Sequence, residues 1–256
     1  MNLIDPSHIY IPYPATPELN LKITTGVCSL TLSPGFGNNW ITGKYSDPKE
    51  LAPLDISQAG KTTHIVVGDL LRDWVPEKHR PHLHLSFGKW RAFSLTISTG
   101  DIDNHFDFGC LPLSALEINC GAGHQVINFS YANPQLMNKM MLNTDAGSVL
   151  IQNIANANAA EVRMKGDATN CRLDFGGELK RNTFIHIGMV NCNVAVSIPM
   201  STAAKITSPF LPDSHQMADF ICQGKAYYNG AAYNHQEPLL RIHQAAAMGS
   251  FRIQTF

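Results

Sequence analysis

The sequence predicts an all-β, single-domain β-solenoid, a stack of coils of about 22 residues with irregular capping segments. Three observations predict it. A fourteen-residue pattern recurs, apolar and polar residues alternate within it, and its central copies begin at near-constant intervals.

The segments LTISTGDIDNHFDF from Leu95, LEINCGAGHQVINF from Leu116 and VRMKGDATNCRLDF from Val162 align without a gap. Four more copies fit the same template from Leu21, Met140, Ile185 and Leu240. The first position is then apolar in every copy, and so is the third, filled by Ile23, Ile97, Ile118, Leu142, Met164, Ile187 and Ile242. The twelfth is apolar too, with Leu32, Phe106, Ile127, Ile151, Leu173, Val196 and Phe251, while the thirteenth is always polar, from Ser33 and Asp107 through to Arg252. A period of two is the signature of strands with one buried and one solvated face. The sixth position holds Gly26, Gly100, Gly121, Asp145 and Asp167, residues that tolerate the left-handed conformation of a tight turn between two strands. Val190 and Ala245 stand there in the last two copies, so those turns are expected to differ. Starts at Leu95, Leu116, Met140, Val162 and Ile185 lie 21 to 24 residues apart, the length of one solenoid coil. The same alternation also suits a β-sandwich or an antiparallel meander, because periodicity fixes faces and not neighbours.

Taken in order, residues 1–20 read as an N-terminal arm, 21–90 as an N-terminal β subdomain, and 91–256 as the stacked repeat packed with it as one unit. Residues 35–90 break the pattern but contain two strand-like runs, HIVV at 64–67 and HLHLSF at 82–87, expected to pack against one end or side of the stack. Residues 206–239 break it again, with a short helix expected near 214–221 and an aromatic strand through Ala226, Tyr227 and Tyr228. Both breaks are placed to act as caps, which a stack of strands needs to prevent end-to-end pairing.

Composition narrows the function. Apolar residues make up 44% of the 256, enough for a core, and the net charge is −1. No long-range field attracts a polynucleotide or an anionic bilayer, so neither is an expected partner. No run of apolar residues is long enough for a membrane helix, and the first twenty residues lack the cationic and apolar regions of a secretory signal, which points to the cytoplasm. The six cysteines show no CxxC and no dense pairing, so they read as reduced and mostly buried.

Chemistry-bearing positions are few. Stacking would hold Asp145 and Asp167 about 4.8 Å apart, a separation in the range of a retaining glycosidase pair, although Asp at a turn ordinarily caps its own backbone. Asp107 and Asp174 share the thirteenth position in copies too far apart to form a pair, and Asp101 with Asp103 lacks the second acidic cluster of a calcium site. His82 and His84 lie on one face of a strand, with Glu77 and His79 upstream, but zinc needs three or four fixed ligands. Trp40, Tyr45, Trp74, Trp90, Tyr227, Tyr228 and Tyr233 either fill a core or line a binding face. No nucleophile elbow, P-loop or HExxH occurs, and the GxG pairs at Gly35 and Gly121 lack the third glycine and helix of a dinucleotide site. No cofactor is expected.

The opening LKITTGVCSLTL with WITGKY, the middle LEINCGAGHQVINF and the closing DFICQGKAYYNGAAYNHQEPLLRIHQAAAMGSFRIQ together resemble the bacterial toast-rack family. They also resemble the LiaF-like soluble domain of cell-wall-active antibiotic response proteins and related candidate adhesin domains. The resemblance implies a non-enzymatic structural or interaction module linked to the cell envelope or its stress response, with an envelope or protein partner, self-association as an option, and no active-site residues. The rival expectations are a carbohydrate-active enzyme using Asp145 and Asp167, and a small-ligand or metal-binding protein using His82 and His84.

Overall fold

The structure is a computed structural model that describes residues 8–50, 52–68, 76–209, 217, 219–234, 236–245 and 249–256. Each coil places one strand in each of two facing sheets. In chain order the coils are β2 (Asn20–Thr25) with β3 (Ser29–Pro34), β6 (Thr62–Val67) with β7 (His82–Phe87), and β8 (Phe93–Thr99) with β9 (Asn104–Asp107). β10 (Leu113–Cys120) with β11 (Gly123–Asn128), β12 (Met137–Thr144) with β13 (Gly147–Gln152), and β14 (Ala159–Asp167) with β15 (Thr169–Asp174) follow. The last two are β16 (Thr183–Val190) with β17 (Asn193–Ile198), and β21 (Leu239–Gln244) with β22 (Phe251–Thr255). Neighbouring coils pair in parallel throughout, which makes the path a solenoid and excludes the meander.

The parallel register follows the repeat. Leu95, Leu116, Met140, Val162 and Ile185 are successive partners, as are Phe106, Ile127, Ile151, Leu173 and Val196. These rows face inward and belong to one contiguous core that runs from Ile9 to Ile253. Phe106, Phe108 and Phe129 stack along the core, with ring centroids 5.9 and 5.6 Å apart.

Two features depart from the expected template. The last copy is displaced by two residues: Ile242, not Leu240, partners Ile185, and Ile253, not Phe251, partners Val196. A slip of two preserves every inward and outward face, so alternation alone could not separate the two registers. In addition, the runs at 64–67 and 82–87 are not merely packed on the stack. They form a full coil in register, with Thr63 opposite Leu21 and Leu85 opposite Leu32. A gapless template missed it because fourteen residues separate Val67 from His82, whereas three separate Thr25 from Ser29.

Coil order in space differs from chain order at both ends. The β6–β7 coil lies outside the β2–β3 coil that precedes it, and antiparallel strands cover it: β4 (Ile41–Ser46) then β1 (His8–Ile11) on one sheet, β5 (Leu54–Ala59) on the other. At the C-terminal end β21 inserts between β16 and β18 (Ala203–Thr207), and the antiparallel pair β20 (Ala226–Asn229) and β19 (Phe220–Gln223) closes that sheet. The expected aromatic strand is thus β20. Half of the helix expected near 214–221, residues 214–216 and 218, lies outside the described residues, and its end, from Phe220, is strand. A one-turn helix instead follows β20 at Gly230–Tyr233, capped by the Asn229 side chain, which accepts from Ala232 N. The sheet containing β1 and β22, sheet A, has 10 strands, and sheet B, containing β5 and β19, has 12.

Candidate interaction surface

Asp145 and Asp167 fall at successive turns, as the repeat places them, and both are exposed. Asp167 Oδ1 accepts from Asn191 Nδ2 at 3.1 Å, and its carbonyl accepts from Thr169 Oγ1 at 3.0 Å. The other acidic candidates also hold backbone in place. Asp101 Oδ1 accepts from Ala122 N and Asp103 Oδ1 from His124 N, each at 2.7 Å, and Asp107 accepts from Gly109 N, Ser130 N and Ser130 Oγ. Each of these bonds from a backbone N–H of the following coil satisfies an amide donor that would otherwise need another partner.

His82 and His84 share the solvated face of β7, above buried Leu83, Leu85 and Phe87. His84 Nε2 lies 3.3 Å from Ser33 Oγ and His84 partners Lys44 across β4. Among the described residues no three His, Cys, Asp or Glu side chains converge, and the Glu77 side chain lies outside them. Of the aromatic candidates, Trp40 is core, edge-on to Phe93, Tyr45 donates to Ala52 O, and Tyr227 is buried. Trp90 is 72% exposed beside the loop of Phe36, over whose ring Lys89 sits, and Trp74 lies outside the described residues. The six thiols are free, and burial pushes those of Cys28 and Cys171 up to about 12 and Cys120 to about 11, far from a nucleophilic thiolate.

The two outer faces differ. On sheet A the ninth position forms a polar ladder whose members bond one another: His124 Nδ1 to Ser148 Oγ at 2.5 Å, Asn193 Nδ2 to Asn170 Oδ1 at 3.0 Å, Ser250 Oγ to Asn193 Oδ1 at 2.8 Å. Its hydrogen-bonding capacity is largely spent within the stack.

Sheet B presents a charged face that single-sequence reading missed. One row runs Lys139, Glu161, Phe184, Arg241, Lys205, Tyr228 across six neighbouring strands. The row two residues on runs Met141, Arg163, His186, His243, Thr207, and Lys165 stands in the next. Five of the chain's 19 Lys and Arg residues gather here, with Asp167 at the end of β14 and one carboxylate within these rows. That one, Glu161, accepts from Arg163 Nε at 2.6 Å and lies 3.7 Å from His186 Nε2. The His186 and His243 rings are 6.0 Å apart, and His243 Nδ1 lies 3.1 Å from Thr207 Oγ1. Arg241 covers the Phe184 ring at 5.0 Å and Lys205 the Tyr228 ring at 5.3 Å. Toward the other end, the same face carries Lys22, Asp55 and Glu117, one cation against two carboxylates. The signal was present in sequence as cations at outward repeat positions, but only stacking brings residues 139 to 241 together.

The family profile described as the N-terminal domain of toast_rack, DUF2154, matches residues 5–152. Solved structures with similar chain paths include a candidate cell adhesion protein from Clostridium sporogenes ATCC 15579, 14% identical, covering 97% of this chain and 98% of that one with a TM-score of 0.48. Another is a candidate adhesin from Parabacteroides merdae ATCC 43184, 9% identical, covering 94% of this chain and 95% of that one with a TM-score of 0.31. No curated protein matches the chain.

Proposed function

The match over residues 5–152 spans more than half of the chain, so the protein belongs to the toast-rack family, and from that premise we propose that it is a non-enzymatic binding scaffold acting at the bacterial cell envelope or in its stress response. The observation that carries the reading is the C-terminal half of the outer face of sheet B, where five cations meet two carboxylates, Glu161 and Asp167, on a ladder of parallel strands. Backbone pairing on both sides holds β14, β16 and β21 in place, so the face is preorganised and loses little conformational entropy on binding. Of the two acidic side chains offered for catalysis, both stand at exposed turns and Asp167 is engaged by Asn191, which supports a role without chemistry. The envelope location follows from the family resemblance.

Co-sedimentation with washed bacterial envelopes tests this reading. The protein is expected in the pellet at low salt, and Lys165→Glu combined with Arg163→Glu is expected to return most of it to the supernatant. A chain that stays in the supernatant, or whose sedimentation ignores that pair, rejects the scaffold.

A further inference from the structure

We infer that the C-terminal half of the outer face of sheet B binds an extended, carboxylate-bearing polysaccharide laid across the strands. The inference rests on the scaffold reading and names its ligand class. The rows run perpendicular to the strands, with one side chain about every 4.8 Å, a spacing close to the length of one hexose residue. A glycan chain following the row from Glu161 to Tyr228 therefore meets a new side chain at about each sugar.

Charge and ring chemistry on this face match such a ligand in kind. The guanidinium of Arg241 and the ammonium of Lys205 carry no ion pair among the described residues, and each already sits over an aromatic ring. A guanidinium held over Phe184 keeps N–H groups free for a planar carboxylate, which such a group can bind in two parallel bonds. The Phe184 ring, 45% exposed, and the half-buried Tyr228 give apolar surface for the C–H faces of sugar rings. Within the row from Glu161 to Tyr228 the one carboxylate, Glu161, stands at the end and pairs with Arg163, so repulsion of an incoming anion along this row is confined there.

Other polyanions fit less well. A polynucleotide is drawn in by a field spread over the whole molecule, and the net charge of −1 supplies none. An anionic bilayer would reward apolar side chains projecting from loop tips, whereas Phe184 lies within a sheet between Glu161 and Arg241.

The test is affinity electrophoresis of the whole protein through gels containing polygalacturonate, with neutral dextran and single-stranded DNA in parallel gels. Retardation by polygalacturonate alone is expected. Arg241→Glu with Lys205→Glu should weaken it about tenfold or more, while Arg172→Glu with Arg252→Glu, the same charge change on sheet A, should weaken it less than about twofold. Phe184→Ala, which leaves the charge intact, should weaken it about threefold or more. Thermal melts of each variant check folding, and the uncharged Phe184 variant carries the test if a reversal pair does not fold. Absence of retardation, equal loss from both reversal pairs, no loss from Phe184→Ala or stronger retardation by DNA overturns the inference. If envelopes still sediment the protein while polygalacturonate does not retard it, the scaffold reading stands and this ligand class falls.

Discussion

Asn104 is buried at a repeat position that Leu30 fills in one flanking coil and Gln125 in the other, and its surroundings explain why. Its Oδ1 accepts from Leu30 N, while its Nδ2 donates to Gln125 Oε1 and Ile102 O, so three coils share one amide. Asn104→Ala would leave Leu30 N and Gln125 Oε1 buried without partners, at about 1–3 kcal/mol each, and should lower the urea midpoint accordingly. Gly147 has φ +101, and a Cβ there would come 2.2 Å from Gly123 O, so Gly147→Ala should be destabilised by more than about 1 kcal/mol in the same assay. The buried thiols give a pH dependence of definite sign. Burial raises Cys28 and Cys171 to about 12 and Cys120 to about 11 from an ordinary 9.0. The folded chain therefore keeps protons that the unfolded chain releases above pH 9, so stability is intact below that pH and falls as pH rises. The slope approaches about 1.4 kcal/mol per pH unit for each thiol, measurable as the urea midpoint in reductant between pH 8 and 10.5.

At the scale of elements, a strand's place in the stack sets what its side chains are worth. Ile118 lies on β10 with a parallel neighbour on each side and is fully buried, whereas Ile56 lies on the edge strand β5 and is 40% exposed. Ile118→Ala should cost about 2–5 kcal/mol and Ile56→Ala less than about 1 kcal/mol, read by denaturant titration. Alternation in these strands was legible because one face meets the core and the other water, and this held from Leu21 to Val196. The two-residue slip of β21 and β22 was not legible, since Leu240 and Ile242 both point inward in either register. The β6–β7 coil was hidden for a different reason: its connection at 68–81 replaces the short turn that the template required.

For the whole molecule, the ends decide whether a stack stays finite. Antiparallel β4, β5 and the β19–β20 pair terminate the parallel ladders, while sheet A ends on β22, where Asp219 Oδ2 accepts from Thr255 N at 3.3 Å and Thr255 Oγ1 at 2.6 Å. Parallel pairing of central strands with these edges predicts a gradient in amide exchange, slowest in β10, β12 and β14 and fastest in β1, β5 and β19, checked by hydrogen–deuterium exchange. The sequence by itself determined which residues face inward, because alternation is local and the drive to bury apolar surface acts on each strand separately. Only the tertiary structure decided the order of coils, with β6–β7 placed outside β2–β3 and β21 inserted before β18, because partner choice is settled by pairing between distant segments. The same long-range pairing made the basic face: Lys139, Arg163, Lys165, Lys205 and Arg241 are scattered along more than a hundred residues of chain and share one surface because parallel strands bring equivalent positions side by side.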